Sequence, residues 1–196
     1  MDDWSTYYQE TRERLGARQK TFDAIFKYLD KFTKPIIVET GTYREEDNYT
    51  GDGCSTLLFD KYIQHNDGHL ISIDIDPVAC KLARQNTSSK TEIIQSDSVE
   101  YLSRLVGNVT LLYLDSFNIT NWMNDWEPSA HHLKELFAAK DIITSGTLIV
   151  VDDNIKHQGK RLGKGRLIYE LMDAIGIEPL FDDYQIGWIW SEPEDE

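Results

Sequence analysis

Two apolar runs in the second half of the chain are followed at once by side chains that bind hard cations. Asp115 follows residues 111–114, and an Asp-Asp-Asn run at 152–154 follows residues 148–151. If the two runs are neighbouring parallel strands, these side chains emerge at one rim of the sheet, and their oxygens suit Mg²⁺. The alternative is that Asp115 only closes a pocket and that residues 152–154 form a turn, where Asp and Asn are common.

A histidine pair is the second candidate for chemistry. We expect Ser129 to cap a helix, which places His131 and His132 in its first turn, at the same rim. The helix dipole there disfavours imidazolium and keeps a histidine neutral and basic. We predict that at least one of the two is a catalytic base, with His132 ahead of His131. The alternative is that one packs on the helix and the other faces solvent.

Polar residues also follow the apolar runs in the first half of the chain. Residues 39–42 (Glu-Thr-Gly-Thr) follow the first run, and a glycine-containing loop leads to a helix that begins near Ser55. Glycines let the backbone approach a ligand, and a helix N-terminus offers unpaired N–H groups. Asp74 ends the second run, where nucleotide-binding folds hold a ribose, and residues 96–98 suit an adenine edge. The predicted cofactor-binding residues are Glu39, Thr40, Gly41, Thr42, Ser55, Asp74, Asp97, Ser98 and Asp115.

Alternating strands and helices would hold these residues at one edge of a sheet. The alternation predicts a parallel sheet with helices on both faces, joined by right-handed crossovers. Two closely spaced runs near the C-terminus predict an antiparallel hairpin at the sheet edge. A leading helical segment over residues 4–32 is expected to break near Gly16. The strand runs are residues 36–38, 70–73, 92–94, 111–114, 148–151, 179–181 and 186–190, and the later helices are 55–64, 77–86, 98–105, 129–143 and 163–175.

In their order and spacing, four of these motifs resemble those of class I S-adenosylmethionine-dependent methyltransferases. They are residues 39–42, Asp74, residues 96–98 and residues 112–115 (Leu-Tyr-Leu-Asp), and the resemblance covers roughly residues 36–190. It implies an α/β fold with a Rossmann-like, doubly wound, seven-stranded and mostly parallel sheet that has an antiparallel C-terminal hairpin strand. The expected division is an N-terminal helical segment (1–34), the methyltransferase domain (35–191) and an acidic tail (192–196).

The resemblance extends to the metal ligands of the catechol O-methyltransferase-like enzymes, which fall here on Asp115, Asp153 and Asn154. Such an ion would bind an acceptor hydroxyl, lower its pKa and align its oxygen with the methyl group. The chain departs from this pattern in two ways. Asn118 stands where the catechol enzymes have a lysine base, and the first loop is long, so that residues 43–50 form either a lid or a solvated insertion.

The composition limits the partners. A formal charge of −14 repels a phosphate backbone, so we expect no nucleic-acid partner. The chain shows no signal pattern and no long uncharged run, which predicts a cytoplasmic protein with no membrane partner, with Cys54 and Cys80 as free thiols. No tight Gly-x-Gly-x-x-Gly turn follows the first run, which argues against NAD. The basic segment 156–166 is either an anion-binding or a solvated loop.

Together these features predict an enzyme, an S-adenosylmethionine-dependent and Mg²⁺-dependent O-methyltransferase. Its acceptor would be a small molecule with a hydroxyl group, such as a sugar or a natural-product precursor. Two alternatives stay open: a cation-independent methyltransferase and a non-catalytic module that binds S-adenosylmethionine. The leading helical segment carries Trp4, Tyr7 and Tyr8, which offer a surface either for a homo-oligomer or for covering the acceptor site.

Overall fold

The computed structural model describes residues 4–52 and 54–192, and nine strands occur within these ranges. They are β1 (Ile36–Thr40), β2 (His69–Asp74), β3 (Thr91–Gln95), β4 (Leu111–Leu114), β5 (Leu148–Val151), β6 (Asn154–His157), β7 (Lys160–Gly163), β8 (Phe181–Asp182) and β9 (Ile186–Ile189). Seven of them form one sheet in the order β3-β2-β1-β4-β5-β9-β8. β1 to β5 are parallel, and β9 pairs antiparallel with both β5 and β8. The predicted doubly wound, mostly parallel sheet with an antiparallel hairpin is confirmed.

Helices follow or precede each of the parallel strands. The N-terminal helical segment is broken as expected, because Gly16 adopts φ +56 inside a 3-10 turn over Glu13–Arg18. The break lets the chain turn between the first two helices. The helices are α1 (Trp4–Arg12), α2 (Gln19–Leu29), α3 (Ser55–Asn66), α4 (Pro77–Asn86), α5 (Ser98–Leu102), α6 (Trp126–Ala138) and α7 (Arg166–Ala174).

The central strands are buried on both faces, which explains why they stand in the sequence as unbroken apolar runs. Alternate residues of β4 divide between two clusters. Leu111 and Tyr113 belong to the cluster that includes α2 and α3, whereas Leu112 and Leu114 belong to the one that includes α6 and α7. Since the parallel strands all end at one edge, the polar residues that follow them are brought together there.

The aromatic residues of α1 pack within the protein. The Trp4 ring lies 4.6 Å from the Phe26 ring of α2 and 5.2 Å from the Tyr62 ring of α3, measured between centroids. Tyr7 and Tyr8 pack against the same cluster. These side chains therefore pack on α2 and α3, and both a homo-oligomer and a cover for an acceptor site stay predictions.

The basic segment after β5 is a hairpin of β6 and β7, and not the loop that the sequence suggested. Two of its cations pair with Asp182 of β8: Lys156 at 2.9 Å and Arg161 at 2.6 Å. The hairpin returns the chain to the sheet edge at Gly163. It therefore delivers the next residue, Lys164, to the carboxyl ends of the strands.

The start of α6 differs from the prediction. The helix begins at Trp126 after the N-cap residue Asp125, so the expectation that Ser129 caps it is wrong. Ser129 is buried within the helix, and its hydroxyl accepts a hydrogen bond from the Leu167 N–H at 2.9 Å. The two histidines consequently lie in the second turn and not in the first.

No helix within residues 4–52 and 54–192 is long and apolar enough to cross a bilayer. Cys54 and Cys80 are both buried free thiols, as expected. Of the predicted acidic tail, residues 193–196 lie outside the described part of the chain, as does Gly53 of the first loop.

Candidate functional site

A cavity of about 540 Å³ lies at the carboxyl ends of β1, β2, β3 and β4. Open α/β sheets bind their ligands at this edge, and the volume falls in the range of small-molecule sites. Seven of the predicted cofactor-binding residues line it: Gly41, Thr42, Ser55, Asp74, Asp97, Ser98 and Asp115.

Two loops meet closely beside this cavity at Gly41 and Asp115. Gly41 has φ +82, and a Cβ atom there would lie 2.7 Å from the Asp115 carbonyl oxygen, so this position requires glycine. The Asp74 carboxylate is held on both oxygens, by the Thr42 N–H at 3.0 Å and the Asp76 N–H at 2.8 Å. These bonds fix the carboxylate in the cavity wall.

The other two predicted cofactor-binding residues, Glu39 and Thr40, are fully buried and do not line the cavity. Glu39 accepts hydrogen bonds from Ser55 at 2.5 Å, Thr56 at 2.7 Å and Ser72 at 2.6 Å. Burial raises the pKa of Glu39 to about 7, although the three hydroxyl groups oppose this rise. Its carboxylate joins β1 to α3 and β2, and so it supports the cavity wall.

Glu135, which the sequence did not single out, has a similar role on the other side of the sheet. It is fully buried in α6, and the Ser98 and Ser116 hydroxyls donate to its Oε1 atom at 2.5 and 2.6 Å. Thr40 donates to Oε2 at 3.2 Å. Burial alone would raise the pKa of Glu135, but neighbouring histidines and the two serines hold it at about 2. The carboxylate joins α6 to residues at the ends of β1, β3 and β4.

Of the two candidate histidines, His131 lines the cavity and His132 does not. His131 Nε2 lies 3.3 Å from Ser98 Oγ and 3.3 Å from Glu135 Oε1, and the hydrogen bond with Glu135 raises the pKa of His131. His132 is fully buried, with Nδ1 at 2.6 Å from the Pro128 carbonyl oxygen, and burial lowers its pKa to about 4. Of the two histidines, His131 is therefore the one that could contact a molecule bound in the cavity.

The three predicted metal ligands lie near each other, but each already has a partner within the protein. The Lys164 ammonium donates to Asp115 Oδ1 at 2.6 Å and contacts Asp153 Oδ2 at 2.9 Å. Asn154 Oδ1 accepts the Gly165 N–H at 2.8 Å. Over the described residues, no cluster of three His, Cys, Asp or Glu side chains could hold an ion. The arrangement does not fit a divalent cation, so the predicted Mg²⁺ site at Asp115, Asp153 and Asn154 is not supported.

Arg18 from the N-terminal segment reaches the same rim. Its Nε donates to Asp152 Oδ2 at 2.7 Å, and its Nη2 donates to Asp153 Oδ1 at 3.2 Å. The Tyr113 hydroxyl donates to Asp152 at 2.8 Å, and the Tyr184 hydroxyl donates to Asp153 at 2.6 Å. The two carboxylates directly after β5, Asp152 and Asp153, therefore each contact a cation and a tyrosine hydroxyl.

Solved structures identify the architecture. The chain aligns with an S-adenosylhomocysteine-bound methyltransferase of Podospora anserina at a TM-score of 0.59 and 15% identity, over 98% of this chain and 89% of that one. A TDP-rhamnose 3′-O-methyltransferase of calicheamicin biosynthesis aligns at a TM-score of 0.56 and 14% identity, over 91% and 82%. The chain has the class I methyltransferase fold. Neither a protein-family model nor a curated protein sequence matches it.

Within this methyltransferase fold, the long first loop forms one wall of the cavity. Tyr43, Arg44 and Asp52 line it. The Arg44 guanidinium donates to Asp52 Oδ1 and to Asn118 Oδ1, each at 2.6 Å. Arg44 therefore links the loop after β1 to the loop after β4 beside the cavity, while residues 45–47 of the same loop are exposed.

Two exposed apolar side chains also line the cavity of the methyltransferase fold. Ile75 follows Asp74 and is 69% exposed, and Phe117 follows the end of β4 and is 46% exposed. Sequence reasoning missed Ile75. The signal that could have found it is a large apolar residue directly after the acid that ends a strand, at the sheet edge where open α/β folds bind their ligands.

Proposed function

We propose that the protein is an S-adenosylmethionine-dependent methyltransferase that methylates a hydroxyl group of a small-molecule acceptor. The cavity carries this proposal, because it lies in a methyltransferase fold and is lined by an acid at the end of β2, a polar motif after β3 and an acid after β4. Two of the structural neighbours add support, since one is bound to S-adenosylhomocysteine and the other is a sugar O-methyltransferase.

The lining side chains suit the parts of S-adenosylmethionine. Asp74 would accept hydrogen bonds from the ribose hydroxyls, since each of its oxygens has a lone pair beyond the one that the backbone uses. Ile75 and Phe117 offer apolar faces for the adenine ring, and Asp97 and Ser98 offer polar groups for its edge. The bound cofactor would supply an electrophilic methyl group attached to a sulfonium.

The acceptor hydroxyl needs a group that takes its proton. His131 is the candidate base, because its neutral imidazole can accept a proton and its ring lines the cavity. Glu135 orients that ring from the buried side.

We propose no role for Mg²⁺ in this site. Two of the three expected ligands, Asp115 and Asp153, already contact the Lys164 ammonium. The cation-independent alternative is therefore the one that the geometry favours, in place of the Mg²⁺-dependent enzyme expected from the sequence.

Transfer of label from methyl-labelled S-adenosylmethionine tests this function. The purified chain is incubated with a panel of nucleotide sugars, free sugars and phenols, and labelled products are identified by mass. We expect label on a hydroxyl of at least one acceptor, suppressed by added S-adenosylhomocysteine. The Asp74→Ala variant should raise the KM for the cofactor about tenfold or more, because a charge-assisted hydrogen bond is lost. Equal transfer by wild type and Asp74→Ala would contradict this assignment of the cavity.

A further inference from the structure

One short segment of the chain supplies hydrogen-bond or ion-pair partners to all three side chains that the sequence predicted as metal ligands. The Lys164 ammonium donates to Asp115 Oδ1 at 2.6 Å and to the Asp115 carbonyl oxygen at 3.2 Å, and it contacts Asp153 Oδ2 at 2.9 Å. These contacts use the three protons of an ammonium group. The next residue, Gly165, donates its N–H to Asn154. Residues 163–165 (Gly-Lys-Gly) therefore contact all three predicted metal ligands.

The backbone around Lys164 is shaped for this close approach. Gly163 has φ +114, and a Cβ atom there would overlap the Asp153 carbonyl oxygen. A Cβ atom on Gly165 would lie 2.6 Å from Asn154 Oδ1. The Lys164 N–H also donates to the Asp153 carbonyl oxygen at 3.1 Å. Both glycines are needed to bring the lysine between two carboxylates, so its position is a built feature and not the chance contact of a long surface side chain.

Lys164 balances part of the negative charge at the sheet rim that follows β4 and β5. Three carboxylates, those of Asp115, Asp152 and Asp153, lie against two cations, Lys164 and Arg18. The Lys164 side chain is 3% exposed, and neither Asp115 nor Asp153 exceeds 19%. Without the lysine, three largely buried carboxylates would face one guanidinium. Such an excess of carboxylate oxygens is what binds a divalent cation in proteins.

We propose that Lys164 is the resident cation of this rim and stands in the place of a divalent metal ion. This inference rests on the proposed methyl transfer for its role in catalysis. In that reaction the acceptor oxygen bonds to the methyl carbon, the sulfur–carbon bond breaks with its electron pair left on sulfur, and the hydroxyl proton passes to His131. Lys164 acts as a positioning residue, since it holds Asp115 at the cavity wall, where the carboxylate can hold the acceptor.

Titration with Mn²⁺, followed by the paramagnetic resonance signal of the free ion, tests the inference without any methyl transfer. We expect no stoichiometric binding by wild type, one bound ion in Lys164→Ala, and loss of that ion in Lys164→Ala combined with Asp115→Asn. Affinity for Mn²⁺ should rise about tenfold or more in the single variant, because Asp115 loses its cation and Asp153 keeps only its contact with Arg18. The control is Lys160→Ala, which removes an exposed lysine of β7 and should behave as wild type.

Two results would overturn the inference: stoichiometric Mn²⁺ binding by wild type that is lost in Asp115→Asn, or no gain of binding in a folded Lys164→Ala protein. If Lys164→Ala does not fold in metal-free buffer, refolding in millimolar Mn²⁺ decides the matter. Recovery of folded protein supports the inference, and failure to recover contradicts it. Loss of the proposed methyl transfer would leave these binding results unchanged, so the two failures are distinguishable. In an active enzyme, methyl transfer should also persist in EDTA.

Discussion

Arg18 Nε lies 2.7 Å from Asp152 Oδ2, and both side chains are almost fully buried. This pair joins the N-terminal helical segment to the end of β5, across 134 residues of sequence. The same guanidinium donates to the carbonyl oxygens of Thr50 and Gly51, each at 3.1 Å. One arginine of the N-terminal segment therefore binds both the first loop and the carboxylates that directly follow β5.

Replacing Arg18 should strongly destabilise the protein. We expect Arg18→Met to lower the free energy of unfolding by about 3–5 kcal/mol, because it leaves the Asp152 carboxylate buried without its cation. The control is Arg12→Met, which removes a solvent-exposed pair with Asp23 and should change the free energy of unfolding little, because solvent screens such a pair. Urea denaturation followed by circular dichroism measures both. Similar losses in the two variants would show that the Arg18 pair is not a structural anchor.

Gly41→Ala should damage both the fold and the cavity. Gly41 and Gly107 both have positive φ, so an alanine at either position costs roughly 1–2 kcal/mol in backbone strain. A Cβ atom at Gly41 also meets the Asp115 carbonyl oxygen at 2.7 Å, whereas nothing lies within 4 Å at Gly107. We therefore expect Gly41→Ala to be the less stable variant and to bind S-adenosylhomocysteine more weakly, as measured by thermal shift with and without ligand. Equal stability and equal ligand affinity of Gly41→Ala and Gly107→Ala would contradict the close contact between Gly41 and the Asp115 carbonyl oxygen.

The pH dependence of turnover should follow His131. Its hydrogen bond with Glu135 raises the pKa of His131 from the ordinary value of 6.5, and a base must be neutral to accept a proton. Turnover should therefore rise with pH through a value above 6.5. His131→Gln should lower turnover about a hundredfold or more and remove this rise, with little change in cofactor affinity. His69→Gln, at an exposed position, is the control. An unchanged pH profile in His131→Gln would exclude His131 as the base.

Glu135→Gln should lower the free energy of unfolding most at neutral pH. The pKa of Glu135 is held at about 2 in the folded protein, below the ordinary value of 4.5. Its carboxylate therefore stabilises the fold fully above pH 4.5, by an amount on the order of 3 kcal/mol, and this contribution fades as the pH falls towards 2. The difference between wild type and Glu135→Gln in urea denaturation should shrink over that range. Glu100→Gln, an exposed position, should show no such trend. If the difference in free energy of unfolding between the two proteins did not change with pH, the pKa of Glu135 would not be lowered in the folded state.

The strands could be predicted closely because each central strand is buried on both faces. Residues 111–114 and 148–151 match β4 and β5, since two-sided burial leaves an apolar run with polar residues directly after it. The same rule located Asp74 and Asp115 at the cavity. It failed for Glu39 and Thr40, because the last residues of a strand can face the core and bind its neighbours instead of a ligand.

The side chains that contact Asp115, Asp153 and Asn154 could not be predicted from the sequence. Lys164 meets Asp115 across 49 residues, and it does so only because the unforeseen hairpin of β6 and β7 returns the chain to the sheet edge. Glu135 was missed because its hydroxyl partners, Thr40, Ser98 and Ser116, come from three separate parts of the sequence. The Mg²⁺ prediction assumed that three oxygen ligands stay free, and a lysine between two glycines was the signal against it.

Calorimetric titration with S-adenosylhomocysteine tests the central claim most directly. We predict saturable binding at one site in wild type and binding about tenfold or more weaker in Asp74→Ala, since this variant removes the carboxylate that we propose accepts hydrogen bonds from the ribose. Asp141→Ala, which removes an exposed acid that contacts Lys140, should bind as wild type does. No binding to wild type, or equal binding to wild type and Asp74→Ala, would contradict the assignment of this cavity to the methyl donor.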